Sequence, residues 1–299
     1  MDKILVGLMN PTLRTIGLFA LLTLLFIFVG YIIGYLYGDT VSSILFFLII
    51  AFIINLFSYF FSAKIVLWSY HAKIISENDN PRIFRIVSTV AQKAKIPVPK
   101  IAIIDTQVPN AFATGRNKKN AVVAVTTGIL NILNDDELEA VIGHEMGHIK
   151  DRDILVMTVA ATIAGALSFA ARMSVFQAMF SGRDRNNNSI ITIIVLALAA
   201  FAAFLIQLAI SRQREFKADM QSAKITGKPL ALANALRKLE ENISRRPLKN
   251  GNPSTASLFI VNPFRGSSFL NLFSTHPPTH ERIKRLEEIA RKDTLESFS

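Results

Sequence analysis

Long apolar runs without charged residues constrain this chain more than any other feature of its sequence. Two lie near the start, at residues 15–37 and 44–63, and two follow at 154–171 and 190–211. Because a helix of about 20 residues crosses the hydrocarbon core of a bilayer, the first two runs predict a transmembrane hairpin. The first run also exceeds the apolar core of a cleavable signal peptide, about 7–15 residues, which favours a retained anchor. The later runs are rich in alanine and predict either a second transmembrane hairpin or one buried within protein.

Charge placement predicts the orientation of these spans. The chain has 33 Lys and Arg against 22 Asp and Glu, a net charge of +11. After Arg214 the basic residues are scattered among acids, which disfavours nucleic-acid binding, since that needs a basic face interleaved with aromatics. The basic residues that flank the apolar runs on one side are Lys3, Arg14, Lys64, Lys73, Lys150, Arg152, Arg212, Arg214 and Lys217. By the positive-inside rule both termini and the large polar segments are cytoplasmic, in a multi-pass protein of the cell (inner) membrane.

The chain therefore divides into four predicted parts. Residues 1–63 form an N-terminal transmembrane hairpin and 154–211 a second one, which gives about four transmembrane helices in all. Residues 64–153 and 212–299 form two cytoplasmic portions. The absence of cysteine excludes a fold held by disulfides.

The first cytoplasmic portion has an α+β pattern. Asn80 is placed to cap a helix with Pro81 in its first turn, and apolar residues then recur on one helical face. Two short β-branched runs, 100–105 and 121–126, predict strands of a small sheet. A further helix is expected to begin near Asn134, where acidic residues suit the positive end of the helix dipole. Residues 244–275 are rich in Ser, Asn, Gly and Pro and predict a mobile loop that gates access to a cleft.

That further helix carries the sequence His144-Glu145-Met146-Gly147-His148. Histidines at positions i and i+4 project from one helical face and can bind one Zn²⁺, while Glu145 lies beside them as a base for water. The alternative is that both histidines are structural. Their apolar neighbours favour the metal site, because a metal centre benefits from a desolvated surround.

A catalytic zinc normally has three protein ligands. An H-x-x-G-x-x-H extension would need Gly at 151 and His at 154, but Asp151 and Ile154 stand there, which excludes a metzincin. The best remaining candidate is Glu215, just beyond the fourth apolar run, with Asp219 one turn later accepting a hydrogen bond from a ligand histidine. The alternative for both acids is a solvated helix end paired with nearby arginines.

Four motifs together resemble the HtpX family of bacterial and archaeal membrane metallopeptidases, relatives of the CAAX prenyl endopeptidases. They are H-E-M-G-H, R-E-F-K-A-D after the fourth apolar run, N-A-F-A-T-G at 110–115 and T-H-P-P-T-H-E-R-I at 275–283. The resemblance spans nearly the whole chain. It implies a gluzincin-type (zincin) α+β protease domain on the cytoplasmic side of a helical membrane protein, with one Zn²⁺ per chain.

The resemblance also implies residue roles. His144, His148 and Glu215 are the implied zinc ligands and Glu145 the catalytic acid/base. His276 and Arg282 match residues that stabilise the oxyanion in relatives. The alternative for this pair is a turn cap and a surface ion pair.

Substrate contacts are predicted at the sheet. Asn110 is expected to contact the substrate backbone, and the strand at 121–126 is either an edge strand that pairs with an extended substrate or an internal one. The implied function is hydrolysis of misfolded or damaged membrane proteins in quality control and stress response, with the lipid bilayer as surroundings. The sequence leaves the oligomeric state open. Alternatives are a CAAX-type prenyl endopeptidase, or a non-catalytic membrane adaptor or chaperone with a structural metal.

Overall fold

The computed structural model describes residues 11–166, 212–245, 247–248, 256, 258–263 and 277–297. The predicted fourth apolar run at 190–211 and the candidate His276 lie outside these residues. The first part of the chain contains α1 (Pro11–Tyr37), α2 (Thr40–Ser69), β1 (Lys73–Ile75), α3 (Pro81–Ala94), β2 (Lys100–Ile104), β3 (Ala111–Gly115), a 3₁₀ turn (Lys118–Asn120), β4 (Ala121–Thr126), α4 (Thr127–Ile132) and α5 (Asp135–Lys150). The helix α6 (Ile154–Ala166) follows. The remaining helices are α7 (Arg212–Thr226), α8 (Pro229–Arg245) and α9 (Thr279–Ser297).

Helices α1 and α2 form an antiparallel hairpin, and both are long and apolar enough to cross a bilayer. The two helices approach closely at the turn, where a Cβ at Gly34 would lie only 2.4 Å from the Cα of Thr40. Glycine is therefore required at this position. Deeper in the hairpin, Asn55 Nδ2 donates to Thr23 Oγ1 at 3.0 Å. A side-chain hydrogen bond of this kind helps to hold two helices together in lipid, where burial of apolar surface gives no drive for association. Helix α2 continues to Ser69, past the predicted boundary at residue 63.

The sheet has four strands in the order β1-β2-β4-β3. Strand β4 pairs in parallel with β2 and antiparallel with β3. The predicted strand at 121–126 is thus confirmed in its bounds but is internal, and the suggestion that it is a substrate-binding edge is wrong. The edge on that side is β3, which runs through the N-A-F-A-T-G motif and was not predicted as a strand.

Each face of the sheet contributes to a different core. Alternate residues such as Ile101, Ala113 and Val123 pack with α3 and α5. Residues on the other face, such as Phe112 and Ala124, pack with α1 and α6. The sheet is therefore packed against helices on both faces, and α1, a candidate membrane helix, packs on the second face.

Helix α6 belongs to the predicted third apolar run. Residues 154–161 at its start are all buried, and several of them join the core on the second face of the sheet. These first turns are therefore apolar because they pack against protein. The described residues support two membrane-spanning helices, and a full crossing by the third run is not established.

Helix α3 follows its sequence signals closely. Asn80 caps it by accepting from the Ile83 amide. The helix ends at Ala94, and Lys95, with a left-handed backbone (φ 57°), is the C-cap. The six apolar residues on its predicted inner face are all buried: Ile83, Ile86, Val87, Val90, Ala91 and Ala94. The helical period of apolar residues in the sequence therefore predicted the buried face of α3 correctly.

Candidate metal centre and active site

The helix α5 begins with a capping box. Asn134 accepts from the Glu137 amide, and the Glu137 carboxylate accepts from the Asn134 amide at 3.0 Å. This reciprocal pairing satisfies two backbone donors and fixes where the helix starts. The start in turn sets which residues face inward, and all of His144, Glu145 and His148 are buried.

Small residues let α7 approach α5 closely enough to complete the site. A Cβ at Gly143 would lie 2.9 Å from Ser222 Oγ and 2.8 Å from Thr226 Cγ2. Ser222 Oγ also donates to the Ala140 carbonyl at 2.6 Å, tying the two helices together. Because of this close contact, the carboxylates at the start of α7 reach the histidines of α5.

His144, His148 and Glu215 converge on one point. The Nε2 atoms of the two histidines lie 3.2 Å apart, and the Glu215 carboxylate is 3.7 Å from one and 3.4 Å from the other. One ligand atom from each residue falls within 4.8 Å of the other two. Glu215 is only 1% exposed, so it is no solvated helix-end acid.

Asp219 and Arg282 lie behind His144. The Asp219 Oδ1 atom is 2.9 Å from His144 Nδ1, which leaves Nε2 of that ring directed at the other ligands. Arg282 binds Asp219 through two hydrogen bonds, from Nε at 2.9 Å and from Nη2 at 2.6 Å. Asp219 is 3% and Arg282 2% exposed. The pair is thus a buried, bidentate ion pair that fixes the orientation of a candidate ligand.

His148 has its own carboxylate neighbour, Asp153, which was not among the predicted site residues. The Asp153 Oδ2 atom lies 3.9 Å from His148 Nδ1. Asp153 also contacts Arg14 of α1 at 3.1 Å and Arg214 of α7 at 3.5 Å. A buried carboxylate between two arginines therefore connects the membrane hairpin with the second candidate ligand.

Glu145 lies beside the edge strand. Its carboxylate accepts a hydrogen bond from the Ala113 backbone, and burial raises its pKa to about 7. Desolvation disfavours the charged form of a carboxyl group, and a pKa near neutrality suits a group that takes and returns a proton.

The two histidines differ in protonation. Burial lowers the pKa of His144 to about 4, which favours the neutral ring that binds metal. Burial also acts to lower the pKa of His148, but the neighbouring carboxylates Asp153 and Glu215 outweigh it and raise that pKa to about 10. Glu145 adds to the effect of Asp153 and Glu215, so three buried acids favour positive charge at His148.

The segment at 258–263 covers one end of the β3 edge. Its Ile260 amide donates to the Ala111 carbonyl at 3.1 Å, and Phe259 packs edge-on against Phe112 with ring centroids 5.1 Å apart. The loop predicted at 244–275 is therefore anchored here, in the part that the structure describes.

Two predicted functional residues, Asn110 and Arg282, donate hydrogen bonds to backbone carbonyls of the segment 258–263. Asn110 Nδ2 donates to the Val261 carbonyl at 2.6 Å, so its amide is held by the same segment. The Arg282 Nη1 atom donates to the Ile260 carbonyl at 2.8 Å, and its other nitrogens bind Asp219. Arg282 therefore lies buried behind the candidate ligand His144. The alternative of a surface ion pair for Arg282 is wrong, and its contacts instead position His144.

Comparisons with known proteins agree with this geometry. The sequence profile "Peptidase family M48" matches residues 77–290. A "Protease HtpX homolog" from Thermococcus sibiricus is 54% identical and covers 93% of this chain and 96% of its own length. Another "Protease HtpX homolog", from Thermodesulfovibrio yellowstonii, is 51% identical, and the match covers 94% of this chain and 99% of that protein.

A solved structure is similar in fold. The crystal structure of S. mikatae Ste24p superposes with a TM-score of 0.50 at 18% identity, covering 92% of this chain. This chain spans 65% of the length of that protein. The profile match over most of the chain, and relatives that are half identical over nearly all of it, establish that the chain is a metalloprotease and belongs to peptidase family M48.

Proposed function

We propose that this protein is a zinc-dependent endopeptidase of the cell membrane whose active site faces the cytoplasm. The observation that carries the proposal is the buried group of His144, His148 and Glu215, with Glu145 beside it. A purely structural metal site has no need of a carboxylate next to its ligands.

The donor set fits zinc. Two imidazole nitrogens and one carboxylate are the ligands of many catalytic zinc sites, which keep a fourth position for water. A bound zinc ion would supply Lewis acidity and lower the pKa of water at that position. The Asp219 carboxylate keeps the proton of His144 on Nδ1, so that Nε2 is free to bind.

Glu145 is the proposed acid/base. Its buried carboxylate takes a proton from water and returns it to the amine that leaves when the peptide bond breaks. Its hydrogen bond from Ala113 holds it between the candidate ligands and the sheet edge. The roles of Arg282 and Asp219 in this proposal are to position His144. The oxyanion role that the resemblance implies for His276 and Arg282 remains a prediction.

The edge of β3 is the proposed substrate track. In an antiparallel pair, alternate residues direct their backbone groups away from the partner strand, and Ala111 and Ala113 do so here. An extended peptide pairing beyond Ala111 would pass Glu145, and backbone pairing gives little sequence specificity. Asn110 could join such pairing only if the segment at 258–263 moved.

Unfolded or damaged membrane proteins are the proposed substrates. Backbone recognition suits exposed, extended segments, and the similar proteins are proteases by name. The similarity to Ste24p at 18% identity concerns the fold alone, so a prenyl-peptide specificity is not favoured.

The test combines metal content with cleavage. We expect purified full-length protein in detergent to bind one zinc per chain and to cleave an unfolded membrane protein, and chelator to stop cleavage. Glu145→Gln should keep the zinc and lose cleavage by at least about a hundredfold. Glu215→Ala should lose both. Full cleavage by Glu145→Gln with normal zinc content would refute the proposed mechanism. No cleavage by the zinc-loaded parent would favour the adaptor alternative.

A further inference from the structure

A large cavity lies away from the candidate metal centre, at the level where the membrane hairpin meets the sheet. Its volume is about 610 Å³. Its lining residues are Thr12, Thr15, Tyr59, Pro97, Arg116, Asn117, Lys118, Lys119, Arg152 and Leu155. Thr12 and Thr15 stand where the uncharged run of α1 begins, and Tyr59 is near the end of the run in α2.

Four cations and no acid line this cavity. Among the described residues, Arg116, Lys118, Lys119 and Arg152 have no ion-pair partner. Four lysines elsewhere, Lys93, Lys217, Lys228 and Lys238, each contact a carboxylate, whereas the lining of this cavity contains four cations and no carboxylate. The positive-inside rule explains basic residues on the cytoplasmic side, but it does not require four of them without carboxylate partners to line one cavity. Their convergence fits an anionic ligand.

The apolar surroundings identify the kind of anion. Leu13 and Ile16, next to the cavity on α1, are 52% and 57% exposed. On α2 the exposed ring of Phe60 lies under the Arg116 guanidinium, 5.1 Å from centroid to Cζ. A ligand here would meet cations on one side and exposed apolar side chains on the other, as the phosphate and acyl chains of a phospholipid require.

We propose that this cavity binds the headgroup phosphate of an anionic phospholipid from the cytoplasmic leaflet. Basic pockets beside transmembrane helices on that side are suited to such headgroups. The proposal rests on α1 and α2 spanning the bilayer with the cavity on the cytoplasmic side. That placement is tested separately, by resistance of the full chain to carbonate extraction and by labelling of cysteines introduced near each helix end.

The experiment counts lipids bound to the full-length protein in neutral detergent by native mass spectrometry. The probes are phosphatidylglycerol and phosphatidylcholine. The test variant combines Arg116→Gln, Lys118→Gln and Lys119→Gln. A matched control makes the same change in net charge outside the cavity, with Lys100→Gln, Lys224→Gln and Lys284→Gln. Circular dichroism and the elution volume in size-exclusion chromatography confirm that each variant is folded.

We expect the parent to prefer phosphatidylglycerol. The test variant should weaken its binding at least about tenfold, and the control by less than about twofold. If the triple variant does not fold, two single changes on the exposed 3₁₀ turn replace it. Lys119→Glu, which reverses the charge, should weaken phosphatidylglycerol binding, and Lys119→Arg, which keeps it, should not.

Three outcomes would overturn the proposal. Equal weakening in test and control variants would mean diffuse surface attraction. Equal affinity for both lipids would mean that the headgroup charge is not read. Displacement of phosphatidylglycerol by inorganic phosphate at the same concentration would mean a site for free anions. None of these results bears on zinc binding or proteolysis, so the proposed function is judged independently.

Discussion

Replacing Asp219 by Asn tests whether the ion pair behind His144 holds the metal site together. The substitution keeps the shape of the side chain and removes its charge. Arg282 then keeps a buried positive charge without its bidentate partner. An amide oxygen can replace Oδ1, which contacts both Arg282 Nη2 and His144 Nδ1, but an amide nitrogen cannot accept from Arg282 Nε as Oδ2 does. Both the apo protein and the metal site should suffer.

The size of each effect follows from these contacts. Breaking a buried ion pair by removing one partner costs about 3–5 kcal/mol. Arg282 Nη1 is already 3.7 Å from Glu215 Oε2, so Glu215 becomes its nearest carboxylate and relieves part of this cost. We therefore expect a loss of about 3 kcal/mol in the stability of the apo protein. Recruiting Glu215 away from the metal should weaken zinc binding by about a hundredfold, the upper end for loss of a carboxylate behind a ligand histidine.

The assay measures zinc affinity by competition with a fluorescent chelator, and apo stability by denaturant titration in detergent. Asp151→Asn is the matched control, because Asp151 contacts Lys217 at 2.7 Å with side-chain exposures of 20% and 52%. Such a surface pair contributes about 0–1 kcal/mol. Adding Arg282→Met to Asp219→Asn should restore part of the stability, since the uncompensated charge is gone. Zinc affinity and stability within error of the parent in Asp219→Asn would refute the reasoning.

Three further predictions concern the surroundings of the site. Asp153→Asn should weaken zinc binding about tenfold, because His148 loses the carboxylate beside its Nδ1 atom; unchanged competition against a chelator would contradict this. Gly143→Ala should lower the free energy of unfolding by about 1–3 kcal/mol, since its Cβ would lie 2.9 Å from Ser222 Oγ; denaturant titration measures it, and a stability equal to the parent would show that α5 and α7 adjust freely. Chelation should abolish cleavage and added zinc restore it, and activity that survives complete metal removal would exclude the proposed chemistry.

Local signals predicted much of the fold. The cap at Asn80 and the apolar period that follows identified α3 and its buried face, and the β-branched run at 121–126 matched β4 residue for residue. Spacing of four on one helix likewise brought the two histidines together. These features depend on neighbouring residues, and so the sequence contains nearly all the information they need.

Long-range packing accounts for the rest. Strand β3 was missed because Ala111–Gly115 contains only one β-branched residue, and the strand forms through pairing with β4 and burial against α5. Arg282 reaches Asp219 across 63 positions of sequence. Asp153 had no signal of its own, although its place shortly after the second histidine could have suggested a hydrogen-bond partner for that ring.

The candidate metal site is contacted by the N-terminal hairpin as well as by the helices that carry the protease motifs. The family match begins at residue 77, yet Arg14 of α1 contacts the carboxylate beside His148. Leu18 and Leu22 of the same helix are buried in the core on the second face of the sheet. Since that face also carries Phe112 of the edge strand, α1 supports both the candidate ligand and the proposed substrate track. The apolar N-terminal run is therefore a structural support of the candidate site as well as a candidate membrane span, because its inner residues complete the core on which the site is built.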